Sequence, residues 1–563
     1  MTMRIADSRR LTGGNLQSAN PCAVAEVRFT SGDDVERLLA RWREELRVLC
    51  AELGVDFGEP FVRAYQGGAC IGFDAPIDAL YTATEINEEA IHRASQDAQR
   101  AHDPALERLR RALHDEANPQ LIALERAAKE RGCPFLWDDD EVSVGFGHTA
   151  QVWRADELPD VDAVDWASAA PIPVAMITGT NGKTTTSRML TRILKTSGLC
   201  VGSTSTDGVC VDEEIVEAGD WTGTGAARMV LRRKEINAAV LETARGGLLR
   251  RGLSMSGCDV AVLTNVAADH LGDYGIDDVA AMAQVKSLIG KALKPGGHRI
   301  VNADDRHLMQ RRLECDSPMV LFSMRHDDEA LLAHRRAGGS CWWLEDDVIQ
   351  FAQAGEVTQV LAARAIPCSF GGAAHHNISN ALAAAAAAQV LGVSLATIAN
   401  ALSSFGASPS DNPGRCQLVE VQGVRLLLDF GHNAHGLQAI LTLAQGLMES
   451  QPSARLCVSL GQAGDRLDSE ILELSETLAG VAPDHIILRQ MAGYERGRQP
   501  AEVAELIRRG LLERSYPPER VAIVEGELTA LDEAMTWAEP GDLIMLLVHL
   551  EREAVADWVA ARR

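Results

Sequence analysis

Basic residues, aromatic residues and long apolar runs are all scarce in this sequence. Lysine and arginine number 54 against 79 aspartates and glutamates, which gives a formal net charge of -25. Such an excess of acid repels phosphate polymers, so we expect no nucleic-acid partner. Aromatic residues make up 4% of the chain, whereas 46% of it is hydrophobic, an ordinary share for a globular protein.

Apolar runs long enough to cross a membrane are missing as well. The longest runs, such as LIMLLV near the C-terminus, have the length of a β-strand. The N-terminal MTMRIADSRRLTGG lacks the apolar core of a signal peptide. The 12 cysteines form no CxxC pair, so the sequence shows neither the spacing of zinc ligands nor a disulfide framework. We therefore expect a cytoplasmic location and no membrane partner.

A chain of 563 residues is too long for one hydrophobic core, so several domains are expected. Residues 1–160 are interpreted as an N-terminal α+β domain. It contains a helix that starts after Ser31 or Asp33 and stops at Gly54, and a second helical region at 104–131 that is interrupted near Pro119. The acidic, Ala- and Pro-rich segment 155–173 is typical of a linker.

Short apolar runs that alternate with helical segments begin at Val174 and predict an α/β fold with a mostly parallel sheet. This alternation restarts after the DNPGR stretch, so we place a central domain at 161–411 and a Rossmann-like C-terminal domain at 412–563. Parallel sheets bind ligands at the carboxyl ends of their strands. The polar residues predicted there are Gly179, Glu242, Asn265, Asp269 and Asp304.

The stretch VAMITGTNGKTTTSRML joins an apolar strand to a helical pattern through a glycine-containing loop. Glycines let backbone N–H groups close around an anion, and the start of a helix adds positive potential. Lys183 would reach the terminal phosphates of ATP, and the Thr184 hydroxyl could bind Mg²⁺. The generic phosphate loop has a glycine where this chain has Ile177. The predicted cofactor-binding residues of the loop are Gly179, Thr180, Asn181, Gly182, Lys183, Thr184 and Thr185.

The form TGTNGKTTT resembles the Mur ligase family of ATP-dependent amide-bond ligases, and further stretches extend the resemblance over some 250 residues. In LETARGG, Glu242 would hold Mg²⁺ opposite Thr184. In LTNVAADHLG, His270 matches a motif whose histidine helps to hold a second metal ion. Lys286 aligns with a lysine that several members carry as a metal-bridging carbamate. Considered alone, Glu242 and His270 could be structural and Lys286 a plain lysine.

The resemblance also implies residues that bind the nucleotide from the second half of the chain. Asn377 and Asn380, in HHNISNALAA, would lie at the base or the ribose, although Asn377 could instead cap a helix. Arg415, in PGR, would reach the ATP phosphates when the last domain closes. The DFGHN stretch supplies Asp429 and His432. The implied catalytic residues are Lys183, Glu242, His270, Lys286 and Arg415, and the implied metal ligands are Thr184, Glu242, His270 and Lys286.

Within the family, the chain resembles most the Mur-like part of cyanophycin synthetases. The STDGVCV, ETARGGLLRRGL and GDR…RGRQPAE stretches carry this resemblance, and RRLTGGNL and VGFGHT resemble the N-terminal domain more loosely. The ATP-grasp domain that separates these parts in cyanophycin synthetase has no counterpart between VGFGHT and the phosphate loop. The resemblance implies one ligase site rather than two.

The implied activity joins an amino acid, with arginine or another basic one as candidates, to a carboxylate of an acidic amino acid or peptide. ATP and Mg²⁺ are the expected cofactors, and a homo-oligomer is the expected assembly. Two alternatives stay open: a P-loop ATPase, and a non-catalytic nucleotide-binding subunit of another synthetase.

Overall fold

The computed structural model describes residues 3–30, 34–95, 104–449 and 451–562. Within this part of the chain, the N-terminal region contains a four-stranded antiparallel sheet in the order β1-β2-β4-β3 and a small three-stranded sheet. Its elements are β1 (Arg4–Leu11), β2 (Cys22–Arg28), α1 (Val35–Leu53), β3 (Phe61–Tyr65), β4 (Gly68–Asp74), α2 (Leu80–Ser95), α3 (Pro104–Glu116), α4 (Pro119–Arg131), β5 (Phe135–Trp137), β6 (Glu141–Val144) and β7 (Gln151–Arg154).

The apolar face of α1 explains why this region folds around its own core. Leu38, Trp42 and Leu49 recur at helical spacing and are fully or almost fully buried against the sheet and α2. The predicted helix and its stop at Gly54 are confirmed, and the interruption near Pro119 separates α3 from α4. Asp34 caps α1 through a bond from the Arg37 backbone N–H, whereas Ser31 and Asp33 lie outside the described residues.

The central region is built on a long, mostly parallel sheet. Its elements are β8 (Val174–Thr178), α5 (Lys183–Thr196), β9 (Val201–Ser205), β10 (Gly208–Val211), β11 (Glu214–Ala218), α6 (Thr224–Leu231), β12 (Ala238–Glu242), α7 (Arg245–Arg251), β13 (Cys258–Leu263), α8 (Val279–Ser287), β14 (Leu293–Asn302), α9 (Arg306–Gln310), β15 (Met319–Ser323), α10 (Glu329–Arg336), β16 (Cys341–Glu345), β17 (Val348–Gln353), β18 (Glu356–Ala362), α11 (His375–Val390) and α12 (Leu395–Leu402).

Among the described residues, 11 strands form this sheet in the order β11-β10-β9-β12-β8-β13-β14-β15-β16-β17-β18. Strands β9 to β16 of that order run parallel, and antiparallel hairpins close both ends. The parallel register places Glu242 beside Ile177, at the carboxyl end of β8. The alanine-rich α11 packs its buried small side chains against α5 and the sheet.

The C-terminal region repeats the α/β pattern on a second sheet. Its elements are β19 (Gln417–Val421), β20 (Val424–Asp429), α13 (Ala434–Met448), β21 (Leu456–Gly461), α14 (Asp468–Val481), β22 (His485–Gln490), α15 (Glu502–Glu513), β23 (Val521–Glu525), α16 (Glu527–Trp537), β24 (Leu543–Leu547) and α17 (Arg552–Ala560). In the described part, six strands follow the order β19-β20-β24-β21-β22-β23, and all neighbours except β19 and β20 run parallel.

The predicted fold class is confirmed, with a mostly parallel central sheet and a second, mostly parallel sheet in the C-terminal region. The division of the chain into domains at 160 and 411 stays a prediction. Among the helices of the described residues, none combines the length and the apolar composition needed to span a membrane.

A buried ion pair in the C-terminal region fixes the loop that follows β24. The Arg489 guanidinium and the Glu527 carboxylate are almost inaccessible to solvent and lie 2.7 Å apart. Glu527 also accepts backbone hydrogen bonds from His549 at 2.6 Å and Glu551 at 2.7 Å. This pair therefore sets the position of the loop that precedes α17, the helix that begins at Arg552.

We expect Glu527→Gln to destabilise the C-terminal region by about 3–5 kcal/mol, because it leaves the buried Arg489 charge without the carboxylate that pairs with it. Native-state hydrogen exchange of the 548–551 amides measures this change. The matched control, Glu525→Gln, alters an exposed carboxylate and should shift the free energy of opening by less than about 0.5 kcal/mol. Equal protection in the two variants would contradict the role of the ion pair.

Candidate active site

The phosphate-type loop lies between β8 and α5 and is held from behind by the end of β13. The Thr180 backbone N–H donates to the Asn265 carbonyl at 2.8 Å, and the Asn181 N–H donates to the Asn265 side chain at 2.9 Å. Gly182 adopts a φ of +82° and caps α5, a conformation that favours glycine. A Cβ at Gly179 would overlap the Thr264 hydroxyl. The loop thus takes the form that the sequence predicts for closing around an anion.

Glu242 places a buried carboxylate under this loop. Its side chain is 2% exposed, and its Oε2 accepts a hydrogen bond from the Thr184 hydroxyl at 2.9 Å. Its other oxygen, Oε1, is buried and has no hydrogen-bond partner among the described residues. Burial raises the pKa of Glu242, although Lys183 and Thr184 act in the opposite direction.

The oxygen atoms of Glu242 and Thr184 fit a magnesium site that also uses water and phosphate ligands. They fit less well a metal site whose ligands all come from the protein. Mg²⁺ prefers oxygen ligands, keeps several waters and is often held by one or two protein groups together with phosphates. Glu242 Oε1 supplies an unpaired oxygen beside the Thr184 hydroxyl. In the described residues, no group of three His, Cys, Asp or Glu side chains forms a metal site by itself. Thr184 and Glu242 therefore match the donor set of a magnesium site that a nucleotide completes.

The DHL motif follows β13 and faces the C-terminal region. Asp269 lies 3.3 Å from the Arg466 guanidinium and 3.6 Å from the His432 ring. Burial works to raise the pKa of Asp269, but the contact with His432 and the charge of Arg466 outweigh it and lower the pKa. Asp269 is therefore ionised near neutral pH.

His270 is a neutral histidine held by the same arginine. Its Nε2 lies 2.7 Å from Arg466, and a guanidinium has only donors, so this nitrogen accepts the bond. Burial, together with the neighbouring arginines, lowers the pKa of His270 to about 4, against the opposing charge of Asp269. In this arrangement the second-metal role of His270 stays a prediction, because its Nε2 is occupied by Arg466.

Lys286 is a buried amine without a countercharge in contact. It is 4% exposed, and its Nζ forms no hydrogen bond or ion pair with another described residue. Burial lowers its pKa well below the ordinary value, and the charge of Lys183 adds to this effect. An uncharged amine is the form that reacts with carbon dioxide, so the structure is compatible with the predicted carbamate.

Two arginines of the C-terminal region face the same site. Arg415 donates to the Thr206 hydroxyl at 3.2 Å, and this hydroxyl lies 3.3 Å from that of Thr184. Arg552, at the start of α17, donates to Asp207 at 2.7 Å. Both guanidinium groups lie over the Phe430 ring, at 4.4 Å and 4.1 Å from its centre. Arg415 therefore reaches the phosphate loop region from the second sheet.

Thr206, Asp207 and Arg552 were not among the residues predicted for the site. The STSTDG stretch, with a polar turn after β9, was the available signal for the first two. Arg552 has no local motif, because its position depends on how the second sheet packs against the first.

The two sheets are joined at the loop by a reciprocal pair of amide side chains. Asn181 donates to Asn433 at 3.0 Å, and Asn433 donates back at 3.1 Å. Asn433 also caps α13 by accepting from the Gly436 N–H at 2.8 Å. Asp429 accepts the Cys416 N–H and the Gly431 N–H, both at 2.7 Å, so it shapes the turn that carries His432 and Asn433.

Asn377 and Asn380 lie behind the phosphate-type loop. Both are buried, Asn377 donates to the Cys368 carbonyl at 2.8 Å, and Asn380 accepts from Thr186 at 3.3 Å. The cap of α11 is Ala374, so Asn377 does not cap this helix. Their contact with a base or ribose stays a prediction. Asp304, which was also predicted at the end of a strand, accepts a hydrogen bond from the Ser323 hydroxyl at 2.6 Å.

One cleft of about 1330 Å³ lies beside the phosphate-type loop. It is lined by Gly179, Thr180 and Lys183 of the loop, by Asp269, His270 and Lys286, and by His432 and Arg466 of the C-terminal region. Asp7 and Arg9 of β1 also line it, a contribution of the N-terminal sheet that no sequence motif signalled. The cleft is thus bordered by all three large sheets of the described residues.

Two family models match the chain in the order of these sheets. The Mur ligase middle domain matches residues 177–388, and the Mur ligase, glutamate ligase domain matches residues 414–547. Among solved structures, that of E. coli FolC in complex with DHPP and ADP is similar in fold. It has a TM-score of 0.52 and 21% sequence identity, and the match covers 69% of this chain and 89% of FolC.

Curated relatives include cyanophycin synthetases and muramyl-peptide ligases. The cyanophycin synthetase of Synechocystis sp. is 36% identical over 392 residues, which are 70% of this chain and 44% of that protein. The chain therefore spans less than half the length of the cyanophycin synthetases it matches. The UDP-N-acetylmuramoyl-L-alanyl-D-glutamate–2,6-diaminopimelate ligase of Corynebacterium efficiens is 27% identical over 66% of this chain and 68% of its own length. With both family domains matched in order, the chain belongs to the Mur ligase family.

Proposed function

We propose that this protein is an ATP-dependent amide-bond ligase that releases ADP. Its substrates are a carboxylate on an acidic amino acid or peptide and the amine of an amino acid, with arginine or another basic amino acid as candidates. The observation that carries the proposal is that the phosphate-type loop, the buried Glu242 and Arg415 of the second sheet lie together. The Thr184 hydroxyl donates to Glu242 at 2.9 Å, and Arg415 donates to the Thr206 hydroxyl, which lies 3.3 Å from that of Thr184. The curated relatives named above as ligases and synthetases support the same reaction class.

The proposed reaction has two steps. A carboxylate oxygen of the acceptor attacks the γ-phosphorus of ATP, which gives an acyl phosphate and ADP. The amine then attacks the acyl carbon, phosphate leaves with the bonding electron pair, and the amine loses a proton to solvent. No protein nucleophile is required, so the contribution of the protein is positioning and charge stabilisation.

The residues around the phosphate-type loop would contribute to this positioning and charge stabilisation in different ways. The Lys183 Nζ donates a hydrogen bond to the Thr180 carbonyl at 3.1 Å. In the presence of ATP this amine would instead bind the terminal phosphates. Arg415 would meet the same phosphates from the other side, since its present partner Thr206 adjoins Thr184. Mg²⁺, held by Thr184 and Glu242, would neutralise phosphate charge. Asp429 and His432 would border the nucleotide from the turn at the start of α13.

Closure of the last domain would occur at the turn between the sheets. Gly414 has a φ of +69° there, and Asn412 contacts Arg188 of α5 at 3.0 Å. The Asn181–Asn433 pair would hold the closed arrangement. Assembly of the protein as a homo-oligomer remains a prediction.

The reaction class is tested by measuring ADP release with ATP and Mg²⁺ while amino acids are paired with aspartate, glutamate or short acidic peptides. Mass spectrometry should reveal a product lighter by one water than the sum of amine and acceptor. ADP release without a condensed product would favour an ATPase. Nucleotide binding with no ADP release under any pairing would favour a non-catalytic subunit of another synthetase.

We expect Arg415→Ala to lower kcat by about 10²–10³-fold, because one charged donor to the developing phosphate charge is lost. Steady-state ADP release in the presence of both substrates measures this effect. Arg364→Ala is the control, since Arg364 is an exposed arginine outside the cleft. An unchanged kcat in Arg415→Ala would show that this guanidinium does not act on the phosphates.

The carbamate predicted on Lys286 should make activity depend on carbon dioxide. The amine would add to carbon dioxide and lose one proton, a reaction that its lowered pKa favours near neutral pH. Protein depleted of bicarbonate should lose activity and regain it on addition, and labelling with ¹³C-bicarbonate should give a carbamate resonance that is missing in Lys286→Arg. Full activity without bicarbonate, and no resonance, would identify Lys286 as a plain lysine.

A further inference from the structure

Cys416 is a buried residue that directly follows Arg415, and its thiol contacts both the central and the C-terminal region. We propose that Cys416 is a positioning residue for the reaction, which holds the backbone beside Arg415 and thereby directs its guanidinium to the phosphate-type loop. His376 and Asp429 are the partners through which it acts. This inference rests on the proposed role of Arg415 and extends that role to a side chain that does not itself touch the phosphates.

The backbone at Cys416 has a conformation that its side chain disfavours. Its φ of +47° lies in the left-handed region, which a residue with a Cβ adopts at a cost in free energy. Such a conformation persists only where the surrounding structure holds it. The contacts around Cys416 therefore determine how the chain runs past Arg415.

Three contacts hold Cys416 in this conformation. Its backbone N–H donates to Asp429 Oδ2 at 2.7 Å, and its thiol donates to the same oxygen at 3.3 Å. The Nε2 of His376 lies 3.1 Å from the Cys416 sulfur. Since the thiol proton is directed at Asp429, the sulfur accepts from His376, whose Nε2 then carries the ring proton.

Burial keeps both the thiol and the imidazole uncharged in this network. It raises the pKa of Cys416 well above the ordinary value, and the charge of Asp429 adds to the effect. Burial also lowers the pKa of His376 to about 4, against the opposing charge of Asp429. Near neutral pH the thiol therefore retains the proton that it donates.

The network connects the two regions that meet at the phosphate-type loop. His376 lies in the first turn of α11 in the central region, whereas Asp429 ends β20 in the C-terminal region. The other oxygen of Asp429 accepts the Gly431 N–H at 2.7 Å, in the turn that leads to Asn433. Cys416 thus joins a central helix to the turn whose amide side chain pairs with the loop.

The chain that precedes Arg415 is anchored as well. Asp411 accepts a hydrogen bond from one arginine of α5 at 2.8 Å, and Asn412 accepts from a second at 3.0 Å. Two residues, Pro413 and Gly414, separate this anchor from Arg415, and Cys416 follows at once. Arg415 is therefore held from both sides, and releasing the Cys416 side would displace its guanidinium.

A double-mutant cycle with Arg415 tests the inference through steady-state ADP release. We expect Cys416→Ala to lower kcat by about 10- to 100-fold, because a displacement of about 1 Å can cost a catalytic group this much. In the Arg415→Ala background the same substitution should change kcat by less than about 2-fold, since the group that Cys416 positions is gone. Cys416→Ser keeps a hydroxyl donor and should retain most of the wild-type kcat. An equal loss in both backgrounds would overturn the inference.

Cys416→Gly separates the side-chain contacts from the backbone strain. Glycine adopts the left-handed region freely but has no thiol, so we expect its kcat to fall as in Cys416→Ala. Wild-type kcat in Cys416→Gly would show that the side-chain network does not act on the reaction. The control is Cys457→Ala, which removes a buried thiol of β21 outside the cleft and should leave kcat unchanged.

Hydrogen exchange tests the network without turnover. Because the Cys416 amide donates to Asp429, we expect His376→Ala to accelerate exchange at this amide, and unchanged exchange would overturn the assigned contacts. ADP release without a condensed product would remove the ligase proposal, yet the cycle would still decide whether Cys416 acts through Arg415. Wild-type protein that binds ATP and releases no ADP with any pairing of substrates would overturn both proposals.

Discussion

The site depends on a carboxylate that is buried without enough hydrogen-bond donors. Glu242 keeps one oxygen on the Thr184 hydroxyl, and its other oxygen has no partner in the described residues. A buried charge of this kind is costly unless a cation neutralises it. Lys183 lowers that cost from the loop above, and a bound magnesium ion would remove most of it. The site is therefore incomplete without a cation, and in our proposal a nucleotide with its metal would complete it.

Three separate sheets have to meet for this charge arrangement to work. The central sheet brings Glu242 and the loop together through the parallel register of β8 and β12. The second sheet contributes Arg415 and is joined to the loop by the Asn181–Asn433 amide pair. The N-terminal sheet holds the loop after Asp269 and His270 through Arg63. Each sheet has its own hydrophobic core, so the polar cleft lies where the cores end.

Local sequence was sufficient to predict the fold class, the phosphate-type loop and the place of Glu242. These features depend on strand ends and on glycines that lie close together in the chain. Contacts between distant segments were not predictable in the same way. Arg466 meets His270 across 196 residues, and Arg9 meets Leu249 across 240 residues. Such contacts depend on how one sheet packs against another, and no periodicity or spacing in the sequence encodes that packing.

The central claim is that a substrate carboxylate takes phosphate from ATP before the amide forms. The most direct measurement uses an acceptor whose carboxylate oxygens are labelled with ¹⁸O, with mass spectrometry of the phosphate released during turnover. The account predicts one ¹⁸O atom in each phosphate, because the acyl phosphate gives up its bridging oxygen when the amine attacks. Phosphate that contains no ¹⁸O, released at the same rate as ADP, would show that water is the attacking group and would contradict the account.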